Sequence, residues 1–435
     1  MLLSTQRIEL PSWAFRGADV RADDPAAPTA RRLRAISPVA RGPYEVLADA
    51  AVVHHFTGAA PCVGLPFPCD ATADYADIAC HAAELGLTVS SLYVTVGNRS
   101  GAMCDLEHPQ RAVRQQALDN LAHALCAADE LGVERVIVRL GHDPRYAGLV
   151  ERAARVDRLG AGLQSVYDDL PLGVSLALEE FSLGTQCWTG EPLWRGTLRL
   201  CEQLGEAARL MVDTSIDHGV DAPALADLST TGRLAGVIVP NLITPTSNGF
   251  GLSDHLLASS RFEVFSTLAE VFTSQAAGPN PLLTLAPSSY QQPGLAPLIQ
   301  NVLTIQHLCV QVADCDVEQL KVALQSNDDN DPAGIQAVLN SCERDVSARL
   351  SQLRRELGVD PDPLAAYERA CRGRYQLMER RASVQRAAER RLATKRPERR
   401  SRASATRYPA ATAGAPASAT GHGWHSGSAA VDTSV

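Results

Sequence analysis

Eight short apolar runs, rich in Val, Leu and Ile, punctuate the chain between Ile8 and Leu285, and a longer amphipathic segment separates most of them from the next. They fall at Ile8–Phe15, Cys62–Phe67, Val89–Val96, Arg135–Leu140, Val174–Glu179, Arg209–Asp213, Gly236–Val239 and Leu282–Leu285. Runs this continuous suit strands covered on both faces, and the intervening stretches, such as Arg111–Leu131, place apolar residues three and four apart as helices do. Strand followed by helix, repeated eight times, predicts an α/β fold of the TIM (β/α)8 type rather than an open doubly wound sheet. No glycine-rich phosphate loop follows the first strand, which argues against a dinucleotide-binding fold.

A chain of 435 residues that is 45% hydrophobic can bury one large barrel core with residues to spare. The pattern assigns residues 1–315 to the barrel. Past Cys315 the strand signal stops, and residues 316–392 read as a helical C-terminal extension with breaks at Asn327–Pro332 and Asp360–Pro363. Residues 393–435 read as a disordered tail, basic at first and then rich in Ala, Ser, Gly and Pro. Extensions of this kind often clamp one protomer to another, so a homo-oligomer through the C-terminal helices is expected.

Charge narrows the partners. The formal net charge of −9 is spread over the barrel, which lacks the basic face that nucleic acid needs. The stretch 379–407 holds eleven Lys or Arg against three Asp or Glu, but no aromatic residues interleave with them, so a solvated helix end is the reading. Lysine occurs only at 321 and 395, away from the strand ends, which removes the usual nucleophile of Schiff-base chemistry. The eleven cysteines are scattered without a CxxC pair and read as reduced, mostly buried thiols. No long apolar stretch and no leader pattern is seen, so a cytoplasmic protein without a membrane span is expected.

In such a barrel the carboxyl ends of the strands form the site. Those ends offer Arg139, His142 and Asp143 on the fourth strand, Glu179 and Glu180 on the fifth, and Asp213 followed by Asp217 and His218 on the sixth. Pro240-Asn241 and Ser288-Ser289 follow the seventh and eighth. A hard cation such as Mn²⁺ wants several oxygen ligands, usually with an imidazole; Glu179 and Asp213, with His218 a weaker third, offer an incomplete set. His142 and His255 read as surface loop histidines. Trp13, Phe67 and Trp188 are candidates for the floor of a pocket, and equally for the core.

From about Pro11 to Arg381 the chain resembles the L-rhamnose isomerase group of the xylose-isomerase-like barrels. The resemblance rests on the order and spacing of Pro11-Ser-Trp13, Ala50–Thr57 leading to Val63–Asp70, Ala83–Leu87, Leu131–Val138, Leu170–Gly173, Val212-Asp213, Gly232–Gly236 and Val359–Tyr367. It implies metal-assisted interconversion of aldoses and ketoses, with Glu179 and Asp213 as the metal-binding carboxylates and Mn²⁺ or another divalent cation as cofactor. It also exposes departures. Where the family follows its glutamate with histidine and lysine, this chain has Glu180 and Phe181. Ile216 stands for the histidine after the aspartate; Val237–Asn241 lacks the seventh-strand histidine; Thr244–Asn248 and Ser288 or Ser289 replace further aspartates. Losing one such group costs on the order of 3 kcal/mol in a transition state, so losing several leaves little turnover. The leading expectation is therefore a catalytically degenerate sugar-isomerase relative, acting in sugar binding or regulation. An active isomerase or epimerase with a rearranged site built from Glu179, Asp213, Glu180, Asp217 or His218 is the alternative. A zinc nuclease on the same scaffold is excluded by the shortage of strand-end histidines.

Overall fold

The computed structural model describes residues 8–15, 40, 42–69, 74–96, 105–140, 149–179, 193–213, 225, 227–228, 230–240, 243–246, 249–252, 268–269, 281–286, 295–314, 340, 344–371 and 379–390. The chain divides at Ala388/Glu389 into two compact units, and everything that follows concerns the first. Eight parallel strands close on themselves: β1 (Ile8–Pro11), β2 (Cys62–Phe67), β3 (Thr88–Val96), β4 (Arg135–Leu140), β5 (Ser175–Glu179), β6 (Ala208–Asp213), β7 (Leu234–Pro240) and, after a two-stranded hairpin of β8 (Ile243–Thr246) and β9 (Gly249–Leu252), β10 (Leu282–Ala286). The seam is β1 against β10, with Ile8 beside Leu283 and Glu9 beside Thr284. The protein is thus the expected TIM barrel.

Two details differ from the pattern read in the sequence. The first strand stops at Pro11 rather than Phe15, and Ser12–Phe15 turn into a 3-10 helix. The β1 ladder to β2 ends with the pair Pro11–Gly64, and proline has no N–H with which to extend it. The antiparallel β8–β9 pair, in register from Ile243–Leu252 to Thr246–Gly249, lies in a stretch to which the sequence pattern gives no strand.

The helices form where side-chain periodicity and capping agree. The helix α1 (Pro43–Thr57) has proline at its start, and Gly58 ends it at φ +66°, donating its N–H to the His54 carbonyl at 2.7 Å. Asp74 caps α2 (Tyr75–Glu84) by accepting from the Asp77 N–H at 3.0 Å. In α3 (Arg111–Leu131) the buried residues Val113, Ala117, Leu121, Ala124, Ala128 and Leu131 make one stripe facing the barrel. The helices α4 (Leu149–Asp168), α5 (Leu193–Leu204) and α6 (Ala296–Ala313) continue the outer ring.

The core has two shells. The outer one lies between strands and helices. The inner one fills the lumen with Tyr93, Ile137, Ala177, Met211, Ala235 and Ile238, against which Trp13 packs. Gly64 makes room for this filling: a Cβ there would stand 2.5 Å from Tyr93 Cε2 and 3.0 Å from the Glu9 carboxyl carbon.

The C-terminal helices are joined to the barrel by buried contacts. Tyr367, on α8 (Pro363–Cys371), is in the main core, sets its ring edge-on to Phe56 at 5.5 Å and accepts from the Leu295 N–H at 3.2 Å. On the helical stretch 379–388, Arg380 forms a forked ion pair with Asp49 of α1, and Ser383 hydrogen-bonds the buried His81 of α2 at 2.5 Å. Between them α7 (Ser347–Glu356) packs on α6, with Val310, Val346 and Leu350 in a small core of their own. Among the described residues no helix is long and apolar enough to cross a membrane.

Candidate functional site at the barrel mouth

Side chains alternate along each strand, so the residues two positions beyond the luminal layer point into the same axis one step nearer the carboxyl end. Beyond Ile137 stands Arg139; beyond Ala177, Glu179; beyond Met211, Asp213. Three successive strands therefore bring one guanidinium and two carboxylates to the mouth. Sequence spacing identified Glu179 and Asp213. It placed Arg139 at a strand end but gave it no role.

Arg139 holds Glu179. Its Nη2 donates to Oε1 at 2.9 Å, and its Nε lies 2.5 Å from Oε2, an ion contact without good hydrogen-bond alignment. The pair is partly sheltered, with the Arg139 side chain 33% and the Glu179 side chain 13% exposed. Burial alone would lower the proton affinity of Arg139; the adjoining Glu179 carboxylate, helped by Tyr93 and Asp213, carries it above the ordinary guanidinium value instead. The guanidinium also lies over the Trp13 ring, 4.8 Å from its centroid, and Trp13 meets Tyr93 edge-on at 4.7 Å.

Below this layer lies a fully buried carboxylate that sequence reading passed over. Glu9 accepts from the Tyr93 hydroxyl at 2.6 Å and the Thr284 hydroxyl at 2.9 Å on Oε1, and from the Ser90 hydroxyl at 2.5 Å on Oε2. Burial, then the Glu9 charge, pushes the Tyr93 phenol well above its usual range, so at neutral pH it is a hydrogen-bond donor rather than a base. The signal in the sequence was a lone acid inside Ile8-Glu9-Leu10 and a lone hydroxyl inside Leu283-Thr284-Leu285, both too apolar in setting for a solvated side chain.

Of the other candidates, Phe67 stacks on Tyr75 with centroids 6.3 Å apart and packs against the outer core. Glu180, Trp188, Asp217, His218, Asn241, Ser288 and Ser289, together with His142 and His255, lie outside the described residues. Among the described residues no group of three or more His, Cys, Asp or Glu could hold a metal ion. Arg139 already engages the Glu179 carboxylate, so a cation on that carboxylate would have to compete with the guanidinium. The mouth thus presents a guanidinium lying over the Trp13 ring beside carboxylates on β5 and β6.

No family model matches the chain. It is 24% identical over 383 residues, 83% of either chain, to a protein of Mesorhizobium japonicum described as a probable sugar isomerase. Among solved structures it is similar to an L-ribulose 3-epimerase, with a TM-score of 0.48 and 16% identity over 74% of this chain and 98% of the other. A D-allulose 3-epimerase from Methylomonas gives a TM-score of 0.44 and 16% identity, covering 65% of this chain and 83% of the other. The chain is a TIM barrel with sequence similarity to that probable sugar isomerase.

Proposed function

We propose that this protein is a sugar-isomerase-like barrel that binds a carbohydrate at its mouth, in a sensing or regulatory role, and does not carry out metal-assisted isomerisation. The observation that carries the reading is the forked contact of Arg139 on Glu179, which gives the carboxylate a fixed cationic partner from the protein itself. The sequence likeness to a probable sugar isomerase supports the choice of a carbohydrate as ligand. Trp13 would floor the pocket, Arg139 would donate to ring or hydroxyl oxygens, and Glu179 and Asp213 would accept from hydroxyls.

The test is a calorimetric titration of the purified full-length protein with a panel of aldoses and ketoses in EDTA, next to an isomerisation assay on the same sugars with Mn²⁺. Saturable binding of at least one sugar in EDTA, weakened roughly tenfold by Trp13→Ala, or about 1.4 kcal/mol, with no product in the Mn²⁺ assay, is the expected result. Mn²⁺-dependent product formation abolished by Glu179→Ala would replace this reading with that of an active enzyme with a rearranged site. Absence of sugar binding in any condition would refute it.

A further inference from the structure

The filling of the lumen stops unevenly. Tyr93 on β3, Ile137 on β4, Ala177 on β5 and Met211 on β6 belong to one luminal cluster, each at most 3% exposed. Two residues further on, the same faces of the first three of these strands carry Thr95, Arg139 and Glu179. The β3–β4 ladder runs without a shift from Ser91–Arg135 to Val96–Leu140, so Thr95 keeps the luminal side of Tyr93 and is the register partner of Arg139. Thr95 is exposed, whereas its neighbours Val94 and Val96, on the other face of the strand, are buried. Exposure falls from there around the ring, to 33% for the Arg139 side chain and 13% for that of Glu179. Water therefore reaches into the barrel on the β3 side.

The surroundings of that opening are fixed from below. Tyr93 lies beneath it, its hydroxyl held by Glu9 at 2.6 Å, and Gly64 of β2 leaves room for its ring. Trp13 meets Tyr93 edge-on at 4.7 Å and is half-buried, so Trp13 and Thr95 border the space above the same ring. Pro66, two residues past Gly64 on β2, is half-buried as well. Among the described residues the Thr95 side chain makes no hydrogen bond. A hydroxyl donates one bond and accepts two, whereas the guanidinium beside it only donates and the Glu179 carboxylate only accepts. A sugar hydroxyl is likewise both donor and acceptor, and Thr95 can answer it in either sense.

We propose that Thr95 is a specificity-determining residue of the mouth: a sugar sits in the space above Tyr93, against Trp13, and one of its hydroxyl groups hydrogen-bonds the Thr95 hydroxyl. The inference rests on the carbohydrate reading and adds to it where in the mouth the sugar lies and which side chain tells a sugar from its deoxy analogue. Binding there covers Thr95, so a sugar without the matching hydroxyl leaves a polar group buried and unpaired, which is what discriminates against it.

Calorimetric titration of the full-length wild type, Thr95→Val and Thr95→Ser in EDTA tests it, with the panel of aldoses and ketoses, D-glucose, D-fructose and L-rhamnose among them. Thr95→Val keeps the branched shape and loses the hydroxyl; Thr95→Ser keeps the hydroxyl. A sugar that binds the wild type should bind Thr95→Val about tenfold more weakly and Thr95→Ser within about twofold, with melting temperatures unchanged because the side chain is exposed. Among monodeoxy forms of that sugar, the one lacking the matching hydroxyl should lose about tenfold in the wild type and little more in Thr95→Val. Wild-type binding that Thr95→Val leaves unchanged, or a loss in Thr95→Ser as large as in Thr95→Val, overturns the role of Thr95 and leaves the carbohydrate reading standing. No saturable heat with any sugar of the panel in the wild type overturns both.

Discussion

Replacing Arg380 by alanine should be among the most damaging single substitutions outside the lumen. Its side chain is 7% exposed and that of its partner Asp49 is 1% exposed. Nε donates to Oδ1 at 2.7 Å, and Nη2 to Oδ2 at still closer range. Burial works against the Arg380 charge, and the bond to Asp49 more than restores it, so its proton affinity ends above the ordinary value. Removing the guanidinium strips a buried carboxylate of its forked partner, a change that costs about 3–5 kcal/mol. Removing both charges leaves no such orphan. Asp49→Ala/Arg380→Ala should therefore be less destabilised than the sum of the two single variants, by about 2–3 kcal/mol. Urea unfolding of the wild type, the two single variants and the double variant, followed by circular dichroism, gives the four free energies. A cost under about 1 kcal/mol for Arg380→Ala, or strict additivity, would show that the ion pair does not hold the last helix to α1.

Two further outcomes follow from the lumen and the outer core. Tyr93→Phe removes one of three hydroxyl donors to the buried Glu9 and should cost about 1.5–3 kcal/mol in urea unfolding, as a hydrogen bond to a charged group does; a loss under about 0.5 kcal/mol would mean that the hydroxyl is dispensable. Stability should also fall on the alkaline side. Burial pushes the Cys201 thiol from 9.0 to about 12 and raises Cys309 and Tyr93 as well. The native state then keeps protons that the unfolded chain releases, so this stability is whole below about pH 9 and is lost as pH rises toward about 12. The urea midpoint should drop between pH 8.5 and about 11, and less steeply in Cys201→Ala. A midpoint that holds steady over that range would contradict it.

The barrel was legible because its signal is local and repeated. Each strand is a short apolar run, and several, such as Cys62–Phe67 and Arg135–Leu140, end where the change in hydropathy places them. The β8–β9 hairpin was missed because Pro245 and the polar residues around it carry turn chemistry, not a strand's alternation. At the mouth, Glu179 and Asp213 could be found from their place at the ends of apolar strands. The Arg139 contact could not, because it depends on the stagger between β4 and β5, which puts Val138 beside Leu178 and so one guanidinium level with the next strand's carboxylate. Glu9 escaped for the same reason: its three donors come from Ser90, Tyr93 and Thr284, far apart in sequence and adjacent only once the barrel closes between β1 and β10.

The most direct measurement is calorimetry of Mn²⁺ binding to the wild type, to Arg139→Met and to Glu179→Ala/Asp213→Ala. With Arg139 neutralising Glu179, the wild type should take up no stoichiometric Mn²⁺ and match the carboxylate double variant, while Arg139→Met, its Glu179 released, should bind more than either. One Mn²⁺ per wild-type chain, abolished by Glu179→Ala/Asp213→Ala, would contradict the guanidinium's role and return the mouth to metal chemistry.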